Sequence, residues 1–224
     1  MKEIHEYLKN PQKSIFQIVT SCGYGKSTTI PVDIVRNNNL KLVVVEPRVI
    51  VARSNAEYVN NCLGVRSISI VRGDDLSAFI CQPSQSIIYC TTGKMRQMLD
   101  ILATDVHLGK NICVCFSDWH CRDGAIAVLI SKAMDLRKRG IEFSVYFTSA
   151  FHLCERWTDA IGFGAVPSVE FPQLTSNYKI LHLPNNLSQM ACKWTERIVS
   201  LITELIAKRS RGNWCILVTA LGEQ

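Results

Sequence analysis

The sequence predicts an α/β fold, a mostly parallel sheet flanked by helices, and three observations carry that expectation. Short apolar runs rich in Val, Ile and Phe recur along the chain, with helix-periodic segments between them. That alternation favours parallel strands joined by crossover helices. Ile112–Phe116 is continuously apolar and Leu40–Val45 nearly so, as expected of strands covered on both faces. Polar clusters follow these runs at their C-terminal ends, where open parallel sheets bind ligands.

The elements follow in order. Met1–Gln12 is polar with Ile4, Tyr7 and Leu8 on one face, and predicts a short helix against the sheet. Ile15–Val19 is the first strand and Ser27–Arg36 the helix after it, broken by Asn37-Asn38-Asn39. Leu40–Val45 is a buried strand, Val49–Cys62 a helix, Ser67–Val71 a short strand and Arg72-Gly73-Asp74-Asp75 a turn. Ser86–Cys90 is a strand, and Thr91-Thr92-Gly93-Lys94 opens a helix that ends near Leu102. Ile112–Phe116 is followed by Ser117-Asp118-Trp119-His120 and a helix over Asp123–Arg139, with Ile126, Leu129, Ile130 and Ala133 at helical spacing. Gly140 stops that helix, Phe143–Phe147 is a strand, and Thr148-Ser149-Ala150-Phe151 caps it. Beyond it, Val169–Phe171 and Lys179–Leu183 read as strands, Ser188–Arg209 as a helix and Trp214–Thr219 as a final apolar strand.

The most informative stretch joins the first strand to its helix: Thr20-Ser21-Cys22-Gly23-Tyr24-Gly25-Lys26-Ser27-Thr28. Strand, glycine-containing turn, Gly-Lys-Ser and helix form the context of a phosphate-binding loop. Gly23 and Gly25 allow the backbone to approach a phosphate closely. Amides at the helix start and the helix dipole favour an anion there. Lys26 is a point charge suited to β- and γ-phosphates, and Ser27 offers a hydroxyl to a phosphate-bound Mg²⁺. The strict spacing of such loops has glycine where this chain has Thr20.

Composition narrows the class further. The chain has 224 residues, 47% hydrophobic and 20% charged, the profile of a folded globular protein. A net charge of +6 suits a polyanionic partner. None of the ten cysteines forms a C-x-x-C pair, and Cys113 and Cys115 alternate within one apolar strand, so they read as reduced core residues of an intracellular protein. The spacing of Cys113, Cys115, His120 and Cys121 suits no common zinc site. No apolar run approaches the roughly 18 residues of a membrane span.

In their order, the motifs resemble the first RecA-like domain of superfamily-2 DExH-type RNA helicases. The Gly25–Pro31 run looks most like the helicases of positive-strand RNA viruses, the flavivirus and potyvirus-like groups. Glu46-Pro47-Arg48 with Ala52 is similar to motif Ia, Thr91-Thr92-Gly93-Lys94-Met95-Arg96 to motif Ib, and Thr148-Ser149-Ala150 to motif III. His120 and Asp123 fit the segment around motif II, and Trp214–Thr219 looks like the first strand of a second RecA-like domain. The resemblance implies residues 1–184 as the nucleotide-binding domain and 185–224 as a connecting helix and the start of a truncated second domain. It implies that Cys22, Gly23, Tyr24, Gly25, Lys26, Ser27 and Thr28 bind ATP with Mg²⁺. Pro47, Arg48, Thr92, Gly93 and Arg96 would lie along RNA, single-stranded or a duplex with an overhang. Ser149 and Ala150 would couple the two sites, and Lys26, Asp118 and His120 would serve hydrolysis. Other viral replication proteins are implied partners, in the host cytoplasm and at membrane-associated replication sites.

Two departures matter. The family's motif II reads Asp-Glu-x-His, and anchoring on His120 or on Phe116 puts Ser117 and Asp118 at the two acidic positions. The metal set becomes Ser27, Ser117 and Asp118, and a serine hydroxyl meets a cation only weakly. Asp118 either orients the attacking water or serves the metal. Phe151 stands where the family's Ser-Ala-Thr places a hydroxyl.

Three functions therefore compete: an RNA-stimulated nucleoside triphosphatase, a degenerate nucleotide- or RNA-binding module with little hydrolysis, and a small-molecule kinase sharing the phosphate loop. The kinase leaves the Pro-Arg and Thr-Thr-Gly turns unexplained. With one strand of the second domain present, residues 1–224 are expected to hydrolyse ATP slowly and to displace no strand, because arginines from the second lobe accelerate related phosphoryl transfers on the order of 10³-fold. A strand-displacement assay with ATP and Mg²⁺ checks this, and unwinding would refute the domain reading.

Overall fold

Alternating side chains on both faces of nearly every strand are apolar, so the sheet must be covered twice. A computed structural model describes residues 1–9, 14–21, 23–105, 107–117, 124–150, 166–172 and Thr203. The chain divides into two compact units, Met1–Thr175 and Ser176–Gln224. In the second, only Thr203 is described, in helical conformation. The expected elements Lys179–Leu183 and Trp214–Thr219, and the rest of Ser188–Arg209, lie outside the described residues.

In the first unit the strands are β1 (Ile15–Val19), β2 (Lys41–Glu46), β3 (Ser67–Ile70), β4 (Ser86–Thr91), β5 (Ile112–Phe116), β6 (Ser144–Ser149) and β7 (Ser168–Glu170). The helices are α1 (Lys2–Leu8), α2 (Thr29–Asn37), α3 (Val49–Cys62), α4 (Ser77–Cys81), α5 (Thr92–Thr104) and α6 (Gly124–Lys138), with a 3₁₀ turn at Leu108–Asn111. Among the described residues, seven strands form one sheet in the order β3-β4-β2-β5-β6-β1-β7, and every pairing is parallel. The protein is thus α/β with an all-parallel sheet flanked by helices, an architecture consistent with a RecA-like domain.

The two faces bury separate cores. On one, Phe16, Ile18, Leu42, Val44, Ile87, Tyr89, Cys113, Cys115 and Tyr146 pack against Ile30, Ile34 and Val35 of α2 and Ala52, Ala56 and Val59 of α3. On the other, Val43, Val45, Ile88, Cys90, Val114, Phe116, Val145 and Phe147 pack against Met95, Met98, Leu99 and Leu102 of α5 and Ile126, Leu129, Ile130 and Ala133 of α6. Each fully buried large side chain contributes about 1.5–3 kcal/mol of transfer free energy. Stacked rings of Phe16 and Tyr146, 5.5 Å apart, join β1 to β6 beneath the loop that follows β1.

Several boundaries differ from expectation for local reasons. Helix α2 begins at Thr29 rather than Ser27, because residues 26–28 form a turn closed by Thr28 N–H donating to Gly25 O. Thr148 and Ser149 are strand residues rather than a cap, because Thr20 N–H donates to Ser149 O and extends the ladder between β1 and β6. The five-residue α4, which buries only Phe79, is too short to show a period. No described helix is long and apolar enough to cross a membrane.

Candidate nucleotide site

Parallel pairing brings the C-terminal ends of the strands to one edge. Val19 is registered with Ser149 on one side and Glu170 on the other. Glu46 is registered with Thr91, Val45 with Phe116, and Phe116 with Phe147. The glycine-containing loop after β1, Pro47-Arg48, Thr92-Gly93, Ser117 and Ser149-Ala150 therefore leave the sheet along this edge. That common placement was an expectation of the parallel fold.

At the loop, positive φ angles of 84° at Gly23 and 82° at Gly25 give backbone that L-residues rarely adopt. Gly25 has a second constraint, since a Cβ there would stand 2.4 Å from Thr29 Oγ1. The Gly25 carbonyl accepts from the N–H groups of Thr28 and Ile30, at 3.1 and 3.0 Å, and so opens α2. Lys26 is 9% exposed, and its ammonium donates to the carbonyls of Thr20 and Ser21, each at 3.3 Å. The loop thus wraps its own lysine. Tyr24 packs its ring on Phe171, with centroids 5.0 Å apart, which braces the loop against the segment after β7. Thr20, at the position where a glycine was expected, is buried, and its Oγ1 has no partner among the described residues.

Among the described residues, Ser27 is met from two other places in the fold. Ser27 Oγ lies 3.0 Å from Ser117 Oγ, directly beyond β5. Tyr89, on β4, donates its hydroxyl to Ser27 O at 2.6 Å. Burial, and secondarily the charge of Glu46, push the Tyr89 phenol well above its ordinary pKa, so it stays a neutral donor. Glu46 is itself buried and accepts from Asn55 Nδ2 at 3.2 Å. Sequence reasoning missed Tyr89. Its only signal is a phenol inside a buried strand, which needs a partner that periodicity cannot name.

The other expected residues are placed as follows. Pro47, Arg48, Gly93 and Arg96 are exposed and Thr92 half-buried, at the adjoining starts of α3 and α5. Thr91 makes no side-chain capping bond to α5. Lys94 donates to Asp74 O and ties the first turn of α5 to the turn at residues 72–75. Ser149 is fully buried beside the loop, and Ala150 is half-buried. Cys22, Asp118 and His120 lie outside the described residues, as do Asp123 and Phe151. Cys113 and Cys115 are fully buried, and burial pushes the Cys113 thiol up, away from the thiolate a metal ligand requires.

The residues present can be tested against Mg²⁺. Ser27 and Ser117 supply oxygen donors at one point, but both are neutral, and Mg²⁺ favours carboxylate and phosphate oxygens. Among the described residues no group of three or more His, Cys, Asp or Glu side chains converges. The two hydroxyls alone do not fit a resident Mg²⁺; they fit a cation that arrives with phosphates. In comparison with known proteins, no family model matches the chain, and no curated protein matches it.

Proposed function

We propose that the chain is the nucleotide-binding motor domain of a viral RNA helicase of the DExH type. In the complete protein this domain couples ATP hydrolysis to RNA unwinding. One observation carries the reading: the 3.0 Å contact between Ser27 Oγ and Ser117 Oγ. It joins the loop that would hold the triphosphate to the strand end where the helicase resemblance places motif II, although the two are 90 residues apart.

In this account Lys26 leaves the carbonyls of Thr20 and Ser21 for the β- and γ-phosphates, which offer it full negative charge. Amides of residues 23–27 would add donors to the same anion, those of Thr28 and Ile30 being held by the Gly25 carbonyl. Mg²⁺ would neutralise phosphate charge, with Ser27 as its one protein hydroxyl in the loop. The exposed Arg48 and Arg96 hold RNA phosphates with strong salt dependence, from the same sheet edge. Binding of a labelled ATP analogue, followed by phosphate release with and without RNA, tests the proposal. Absence of any nucleotide binding would overturn it.

Ser117 favours a second reading, a nucleotide- or RNA-binding module with little turnover, because its hydroxyl replaces a metal-side carboxylate. Ser117→Asp is expected to shift the Mg²⁺ midpoint for nucleotide binding by roughly tenfold toward lower concentration, the scale of one charge-assisted contact. A Mg²⁺ titration of both forms measures it. Identical midpoints would mean that the missing charge is made up by another group.

A further inference from the structure

Tyr89 has a role that neither the loop nor the RNA-facing turns explain separately. It sits on β4, fully buried, between Val44 of β2 and Ser69 of β3 in register. Its hydroxyl crosses beneath the edge of the sheet to Ser27 O, 62 residues away in sequence. Two residues beyond Tyr89, β4 ends at Thr91, and Thr92 and Gly93 open α5. One short segment therefore touches the loop after β1 through a side chain and forms the start of the candidate RNA contacts through its backbone.

We infer that Tyr89 is a positioning residue that holds the Ser27 peptide from β4, so that nucleotide binding at the loop and RNA binding at the start of α5 are linked through it. The inference rests on the nucleotide-binding reading. Its physical basis is the geometry of one bond. Ser27 carries both the amide at the end of the loop and the hydroxyl that meets Ser117, and its carbonyl is the atom Tyr89 holds at 2.6 Å. A shift of β4 when RNA docks at Thr92 and Gly93 moves the phenol, and with it the peptide that presents the Ser27 hydroxyl. By reciprocity, nucleotide bound at the loop changes RNA affinity by the same factor. Ser149, which also adjoins the loop, lies on β6, three places from β4 in the sheet, so this route is separate from it.

The test uses the whole chain, a non-hydrolysable ATP analogue with Mg²⁺ and a single-stranded oligouridylate. In the unaltered chain, saturating oligonucleotide is expected to change analogue affinity. Tyr89→Phe keeps the ring and removes only the hydroxyl; it should weaken analogue binding about fivefold, the scale of one hydrogen bond. It should also bring the RNA-induced change close to onefold. That second readout would not move if the hydroxyl merely stabilised the fold. An unchanged affinity and an unchanged RNA effect in Tyr89→Phe overturn the inference, and so does weaker binding with the RNA effect intact. If the unaltered chain binds analogue without any RNA effect, the linkage is refuted while the nucleotide reading stands. If it binds no analogue, the nucleotide reading itself fails. Should Tyr89→Phe not fold, hydrogen exchange in the unaltered chain decides. Oligonucleotide alone should slow exchange at residues 25–29, and unchanged exchange there overturns the inference.

Discussion

Lys26→Ala should reduce ATP affinity by at least about 100-fold, the scale of losing charge-assisted contacts worth about 1.5–3 kcal/mol each. The structure also sets the cost to stability. Among the described residues the Lys26 ammonium bonds to the loop's own carbonyls, Thr20 O and Ser21 O. Ser21 is half-buried and can turn to water, but Thr20 is buried and its carbonyl loses the lysine, so the stability cost should be about 1–3 kcal/mol. Calorimetric titration with ATP beside a thermal melt separates the two quantities. Unchanged affinity would remove Lys26 from the site.

Gly25→Ala should be the more damaging of the two glycine substitutions in the loop. At Gly23 the added methyl meets open space, and only the positive φ of 84° resists it, at about 1–2 kcal/mol. At Gly25 the same backbone strain is joined by a collision 2.4 Å from Thr29 Oγ1 and 2.7 Å from Thr29 Cβ. The first residue of α2 must then move, and with it the hydrogen bonds from Thr28 and Ile30 that close the loop. We expect Gly25→Ala to lose nucleotide binding by about another tenfold relative to Gly23→Ala, and to unfold at lower denaturant. Equal midpoints and equal affinities would mean that Thr29 yields without cost.

The sequence made the strand-helix alternation readable because burial on both faces leaves long apolar runs. Ile15–Val19, Val49–Cys62 and Ile112–Phe116 have the bounds their patterns predict. The loop was legible for a different reason: Gly23, Gly25, Lys26 and Ser27 must be adjacent in sequence to act together. Contacts between distant segments were not legible. Nothing in the spacing says that Tyr89 reaches Ser27, or that Tyr24 rests on Phe171, because both depend on strand order. Ser149 shows the same limit, since two polar residues after an apolar run resemble a cap. Only pairing with β1 makes Thr148 and Ser149 strand residues.

The central claim is that residues 23–28 hold a phosphate chain, and a phosphate ladder tests it most directly. Affinities of ATP, ADP, AMP and adenosine for the unaltered chain, with Mg²⁺ present, should fall steeply as phosphates are removed. ATP should exceed AMP by about 100-fold, because Lys26 and the loop amides address the outer phosphates. Equal affinity for ATP and adenosine would contradict the account, since the site would then recognise a base or sugar and not a phosphate chain.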